Sequence, residues 1–298
     1  MMDFVEVKFP DIGIDINVNP VAFTLGNIEV YWYGILIALA LIISVVLAIK
    51  QAKSMNFPEG LVYDTILLII PCAIVGARAY FVACNWDYYK TDWKRIFDVR
   101  GGGLAIYGGV LLVFIGGMVM CYLRKIPFRE LADYCVVYLP LGQAIGRWGN
   151  FFNQEAFGTT TTLPWGMTSS TIESYLSANC PNLVSTMPVH PTFLYESICD
   201  LIIFFILLKV RKNSKIPFET SCVYFILYGI ARFFIEGLRT DSLYIGHTSI
   251  RISQVLSLVL IVAALIYMAY ARANKIGKKG FPAKLYEDEA IAGAGKNK

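Results

Sequence analysis

Charged residues are scarce in this sequence: 16% of 298 residues, where an average soluble domain has about 25%. With 56% hydrophobic residues and a mean hydropathy of +0.56, that scarcity excludes a disordered chain and argues against an ordinary soluble enzyme. Histidine is nearly absent. His190 and His247 are the only two, which gives no support to a histidine-based metal site. The cysteines are Cys72, Cys84, Cys121, Cys135, Cys180, Cys199 and Cys222, an odd number with no CxxC pair, so neither a disulfide framework nor a zinc site is expected. Most stand in apolar segments, where a free cysteine acts as a packing residue. The formal net charge is only +4, and no basic run is long enough to bind nucleic acid. There is no internal repeat and no recognisable soluble domain. The opening residues, Met1-Met2-Asp3-Phe4-Val5-Glu6, lack the basic region of a signal peptide, so no cleavage is expected.

Long apolar runs are abundant. A helix needs about 20 apolar residues to cross the hydrocarbon core. Segments 30–49 and 252–271 meet that length without a charge, and 101–123 does so with many glycines. Segments 61–83, 131–146, 191–208 and 220–238 are apolar with a few ionisable groups. The expected fold is therefore all-α, a polytopic membrane protein with about seven transmembrane helices. Residues 1–272 are read as a single membrane domain that includes an outer segment, 150–190, and residues 273–298 as a cytoplasmic tail. The segment 150–190 is too long for a simple turn, which is often a functional sign.

Basic residues fall on alternate connections and set the expected orientation. One side carries Lys50 and Lys53, then Arg124, Lys125 and Arg129, then Lys209, Arg211, Lys212 and Lys215, and then the tail from Arg272. The other side has Lys8 among Asp3, Glu6, Asp11, Asp15 and Glu29, no lysine or arginine in 150–190, and Arg239. One connection dissents, with Lys90, Lys94, Arg95 and Arg100 offset by Asp87, Asp92 and Asp98. The balance places the N-terminus outside and the C-terminus in the cytoplasm.

Ionisable groups inside spans are costly, about 2.5–3.5 kcal/mol each on insertion scales, so each is a functional candidate. Arg78 lies about 17 residues into the second span and Arg147 ends the fourth. Arg232 stands about 12 residues into the sixth, followed at i+4 and i+7 by Glu236 and Arg239 on one helical face. Tyr33, Tyr107, Tyr195 and Glu196 begin the first, third and fifth spans. All these positions share the outer half of the membrane. Four arginines against few carboxylates suit an anionic lipid headgroup, because a guanidinium grips phosphate oxygens at two points. Plainer readings stand beside this one. Arg232 and Glu236 can simply pair, Arg78 can snorkel to the headgroups, and Asp64, Asp133 and Asp200 can serve helix contacts.

The densest polar motif runs from Gly146 through Arg147, Trp148, Gly149, Asn150, Phe151, Phe152, Asn153, Gln154, Glu155, Ala156 and Phe157 to Gly158. Arg147, Asn150 and Asn153 are spaced three apart and form one ridge if the helix persists. The glycines permit close backbone approach or a turn.

This block resembles the signature G-R-x-G-N-F-x-N-x-E-x-x-G of the bacterial prolipoprotein diacylglyceryl transferases. The resemblance continues in order along the chain through Trp32-Tyr33-Gly34, Gly76-Ala77-Arg78, Gly101-Gly102-Gly103 with Gly108-Gly109, and His190-Pro191-Thr192-Phe193-Leu194-Tyr195-Glu196. It ends with Tyr228 through Glu236, then Arg239 and Ser253-Gln254. It implies an enzyme that moves the diacylglyceryl group of phosphatidylglycerol onto the thiol of a lipobox cysteine in a prolipoprotein, releasing glycerol 1-phosphate. It also implies a seven-span fold in the bacterial cytoplasmic (inner) membrane, with no metal and no cofactor. Residue by residue, it implies headgroup binding by Arg147 and an essential Arg232. Asn150, Glu155 and Glu236 become orienters, and Asn153, Gly158, Tyr33, Arg78 and Arg239 further substrate-binding positions.

One departure concerns the base. Enterobacterial relatives carry a histidine where Ile106-Tyr107-Gly108-Gly109 has Tyr107. A thiol titrating near 8.5 must be deprotonated, and an unperturbed tyrosine titrates near 10. Either Tyr107 is a hydrogen-bond partner or a carboxylate such as Glu236 takes the proton. Two other classes are weighed against the enzyme. A lipid or anion transporter would explain Pro71 and Pro140 as helix breaks, but there is no inverted repeat. A non-catalytic scaffold would not need four arginines at one depth.

Overall fold

The computed structural model describes residues 4–98, 102–246 and 248–281. Arg100, Gly101, His247 and the tail from 282 onward lie outside the described residues. The strands are β1 (Val5–Phe9), β2 (Ile14–Val18), β3 (Val21–Leu25), β4 (Ile28–Tyr31) and β5 (Thr168–Ser169). The helices are α1 (Trp32–Ala52), α2 (Glu59–Cys84), α3 (Trp86–Tyr89), α4 (Ile106–Arg124), α5 (Phe128–Cys135), α6 (Tyr138–Asn153), α7 (Ser170–Asn179), α8 (Thr192–Asn213), α9 (Glu219–Leu238) and α10 (Ile252–Ala273). The described residues divide into two compact units, those up to 44 with those between 132 and 278, and those between 45 and 131 with 279–281.

Five helical segments among the described residues are long and apolar enough to cross a membrane: α1 with its short extension to Met55, α2, α4, α9 and α10. The protein is a mostly helical, multi-pass membrane protein. α6 has only 16 residues, about 24 Å at 1.5 Å per residue. α8 has 22 residues but carries Glu196 and Asp200 in its first half. The expected span 131–146 is divided, because the ring of Pro140 opposes the carbonyl four residues earlier, at Val136, and α5 has ended at Cys135. Pro71, by contrast, lies inside α2, which continues to Cys84, so it opens no unwound segment of the kind the transporter reading required.

The all-α expectation is corrected at the N-terminus and in the segment 150–190. In β1 and β2 apolar residues alternate with polar ones: Val5, Val7 and Phe9, then Ile14, Ile16 and Val18. That period of two is a strand signal. β1 pairs antiparallel with β2 on one side and with β5 on the other. β3 and β4 form a second hairpin closed by Gly26, whose φ of +61° favours glycine. Val7, Val18, Phe151, Phe157, Met167, Ile172, Leu176, Val189 and Phe193 pack one buried core, which joins the β1–β2 hairpin to α7, the end of α6 and the start of α8. Ser169 caps α7 through its Oγ, which accepts from Ile172 N at 3.2 Å and donates to Gln154 Oε1 at 2.9 Å. In this first unit α6 packs on α8, α8 on α9, and α9 on α10. Asp133 accepts hydrogen bonds from Ser221 N and Oγ at 2.8 and 2.9 Å, fixing α5 to the start of α9.

In the second unit α2 packs against α4. The contact is made by small residues, as is common between membrane helices. A Cβ placed on Gly108 would strike the carbonyl oxygen of Gly76 and Cβ of Tyr80, and a Cβ on Gly76 would strike the carbonyl of Gly108. Asp64 and Arg124 form an ion pair between the same two helices. Gly108→Val is expected to destabilise this unit by about 3 kcal/mol through overpacking. Gly117→Ala is the control, since its Cβ meets only the Phe128 ring at an ordinary 3.5 Å. Thermal unfolding in detergent compares the two, and equal shifts would refute the close approach.

Candidate active site

Within the first unit the polar ridge forms as the spacing required. α6 stays helical through Asn153 and stops there because Gln154 takes a left-handed φ of 53°. Arg147, Asn150 and Asn153 therefore share one face. Arg147 Nη1 donates to Asn150 Oδ1 at 3.3 Å. The chain then turns back, and Glu155 Oε1 accepts from Asn150 Nδ2 at 2.9 Å and from Asn153 Nδ2 at 3.2 Å. Glu155 thus holds the two amides, and Asn150 in turn holds the guanidinium.

The centre of the site is Glu196, buried on α8. Arg147 Nη2 pairs with its Oε2. Arg232 Nη1, from α9, donates to its Oε1 at 2.8 Å. Arg239, just past the end of α9, lies 3.5 Å from the same oxygen. Three guanidiniums from two helices and a loop meet on one carboxylate. Arg232 also reaches Glu236, one turn on, at 2.5 Å, and Arg239 forms a two-point bond with Asp241 at 2.8 and 2.6 Å. Burial opposes ionisation of Asp241, yet the hydrogen bonds and charge of Arg239 hold its carboxyl below the usual range. The pairing of Arg232 with Glu236 read from the sequence is present, as one link of a larger network. The expected excess of positive charge is not, because Glu196, Glu236 and Asp241 balance the three arginines.

Backbone and aromatic groups fix this cluster. Gly158 N donates to His190 O at 2.9 Å, and the next residue, Thr159, donates to Leu238 O at 2.7 Å. Gly158 and Arg239 form a bridge here. A Cβ on Gly158 would lie 2.7 Å from Cβ of His190, so the approach that positions Arg239 requires glycine. Tyr33, in the first turn of α1, lays its ring on Gly149 so closely that any Cβ there would collide with it. Beside it Trp32 stacks on Phe152 at 5.0 Å. Trp165 Nε1 donates to the hydroxyl of Tyr195 at 2.7 Å, and that hydroxyl stands 3.2 Å from His190 Nδ1. An indole N–H can only donate, so the Tyr195 hydroxyl is free to donate to His190. Burial lowers the pKa of this imidazole, in keeping with an unprotonated Nδ1 as acceptor. The residue before Glu196 is thereby anchored.

Glu196 and Arg251 complete the network, and Asp200 lies one turn from it. Glu196 stands in the sequence as a carboxylate at the start of a span and as the end of the His190–Glu196 segment, but neither signal shows that it faces three arginines. Arg251 donates to the carbonyl of Glu236 at 2.6 Å and closes the last turn of α9. Asp200, one turn beyond Glu196, is 2% exposed, and its Oδ2 has no hydrogen-bond partner among the described residues.

Arg78 and Tyr107 belong to the second unit. Arg78, expected to offer its guanidinium to a headgroup, bonds backbone carbonyls of its own unit. Nε donates to Ile96 O at 2.9 Å, Nη1 to Gly102 O and Gly103 O at 2.9 Å each, and Nη2 to Arg95 O and Asp98 O at 2.6 Å each. All five donors are engaged with backbone carbonyls, and Tyr89 lies against the cation, its ring centre 5.1 Å away. The residue is buried and does not snorkel. Tyr107 is exposed in the first turn of α4.

Fold and site together define a class: a multi-pass membrane protein with a buried cluster of guanidiniums arranged around a single anion. Residues 20–270 match the prolipoprotein diacylglyceryl transferase family. A phosphatidylglycerol–prolipoprotein diacylglyceryl transferase of Finegoldia magna is 47% identical over 247 residues, covering 83% of this chain and 93% of the relative. One of Clostridioides difficile is 44% identical over 256 residues, covering 86% and 96%, and one of Oceanobacillus iheyensis is 40% identical over 258. The chain belongs to the prolipoprotein diacylglyceryl transferase family.

Proposed function

We propose that this protein transfers the diacylglyceryl group of phosphatidylglycerol to the thiol of a lipobox cysteine in a prolipoprotein, releasing glycerol 1-phosphate. The observation that carries the reading is the meeting of Arg147, Arg232 and Arg239 on one carboxylate. Such a cluster binds a monoanion at several points. The lipid's phosphodiester is one, and it lies at the bond that must break. The thiolate attacks the glyceryl carbon, a C–S bond forms, and the C–O electron pair leaves with the phosphate. Arg232 and Arg147 stabilise the charge that grows on that oxygen. In other enzymes a single placed donor contributes about 3–4 kcal/mol to such a step.

The remaining assignments follow the same reading. Asn150, Asn153 and Glu155 orient Arg147. Gly158 places Arg239, and Tyr33 walls the site beside α6. Glu236 orients Arg232 or takes the thiol proton. Segments 131–146 and 191–208 complete seven spans, with the N-terminus outside, residues 273–298 as a cytoplasmic tail, and the protein in the bacterial cytoplasmic membrane. The distribution of lysine and arginine among the connections supports that orientation.

Radiolabelled phosphatidylglycerol and a lipobox peptide test the activity. Glycerol phosphate release that needs the peptide's cysteine is expected, and release that persists with a serine peptide would overturn the reading. Tyr107→Phe is expected to reduce kcat by about tenfold, less than the roughly hundredfold or more that a general acid or base contributes. Complete loss with lipid binding intact would instead show that the phenol itself handles the proton.

A further inference from the structure

Glu196 occupies the place where three guanidiniums converge. Its side chain is 4% exposed, whereas Arg147, Arg232 and Arg239 retain 19%, 16% and 11% exposure. The arginines thus keep some exposed surface, whereas the carboxylate between them is buried. Both of its oxygens are engaged, Oε2 by Arg147 and Oε1 by Arg232 and Arg239. The backbone beneath it is fixed, because Thr192 bonds the carbonyl of Ala156 and Tyr195 is tied to Trp165 and His190. Only the side chain is left to move.

We propose that Glu196 is an internal stand-in for the substrate phosphate: it holds the three arginines in phosphate-ready geometry and is exchanged for the lipid's phosphodiester when phosphatidylglycerol binds. The inference rests on the transferase reading. A carboxylate and a phosphodiester each carry one negative charge, so the arginines contact the same anionic charge before and after the exchange. A guanidinium fork accepts either anion in the same two-point manner.

The same residue assists release. Cleavage of the C–O bond leaves a phosphomonoester carrying about −1.5 to −2 charges at neutral pH. Such a product binds the arginines more firmly than the diester did. The displaced carboxylate, still tethered to α8, competes for them and favours departure of glycerol 1-phosphate.

Glu196→Gln keeps the shape and removes the competing charge. In the full-length protein with phosphatidylglycerol and a lipobox peptide, KM for the lipid and the inhibition constant of glycerol 1-phosphate are both expected to fall about tenfold, while kcat falls by about the same factor as release slows. A purely structural glutamate predicts the opposite sign: disordered arginines, a higher KM and weaker product inhibition. Glu196→Asp retains the charge one methylene further back, so about threefold tighter inhibition is expected of it. This variant decides the matter where the glutamine protein does not fold. Unchanged or weaker inhibition in a folded variant would overturn the exchange. Wild-type protein is assayed alongside. If it fails to transfer, the transferase reading fails, and the exchange is then judged by calorimetric titration of glycerol 1-phosphate into wild-type and variant protein.

Discussion

Arg147→Ala is expected to lower diacylglyceryl transfer by about a thousandfold, the upper range for removal of one preorganised donor. The protein should still fold and insert. Glu196 would lose the cation on Oε2 but keep Arg232 and Arg239 on Oε1. The structural penalty is then that of one buried acceptor left unpaired, about 1–3 kcal/mol, and not that of a naked buried charge. Arg147→Lys is not expected to rescue. An ammonium is a single point charge, and it cannot bond Asn150 and the anion with the fork that Arg147 uses. Turnover of folded Arg147→Ala near the wild-type rate would remove this residue from the reaction. Loss of activity together with a large fall in melting temperature would assign it to the structure instead.

The sequence made one part of this site readable for a specific reason. Arg147, Asn150 and Asn153 lie on one helix, and three-residue spacing is enough to put them on one face. Arg232, Glu236 and Arg239 are readable in the same way. What joins the two sets is Glu196, which is local to neither, and periodicity carries no information about which helices are neighbours. Shared depth proved a weaker guide. It grouped Arg78 with the other arginines, yet depth along a span says nothing about whether a guanidinium's donors are already engaged by a nearby loop. The strands show the reverse case. The alternation in Val5–Phe9 and Ile14–Val18 is a strand signal, but each run has only five residues, too few to register in a window sized for a membrane span. The division of segment 131–146 followed from Pro140 and the carbonyl it opposes, a local rule that a window of hydropathy averages away.

Arg78→Ala is expected to be among the most disruptive single changes in the second unit. The carbonyls of Arg95, Ile96, Asp98, Gly102 and Gly103 all accept from this side chain, and that of Arg95 accepts from Asp98 N as well. Residues 95–98 stand before α4 and 102–103 lead into it, so one guanidinium draws both ends of the connection together. Gly102 and Gly103 adopt φ of +84° and +74° to present their oxygens, and a Cβ on Gly103 would lie 2.5 Å from Arg78 Nη1. Alanine leaves those oxygens without the donor around which the loop is shaped. At about 1 kcal/mol or more for each bond that water does not replace, a loss of several kcal/mol is expected, felt first in the loop and in the start of α4 that carries Tyr107. Lysine supplies three donors on a flexible stem in place of five in a rigid plane, so Arg78→Lys should recover little. Hydrogen exchange read by mass spectrometry checks the placement. Faster exchange in residues 95–110 with the α2–α4 helices still protected is the expected pattern. Normal protection of the loop in Arg78→Ala, combined with weaker phosphatidylglycerol binding, would return Arg78 to the substrate site.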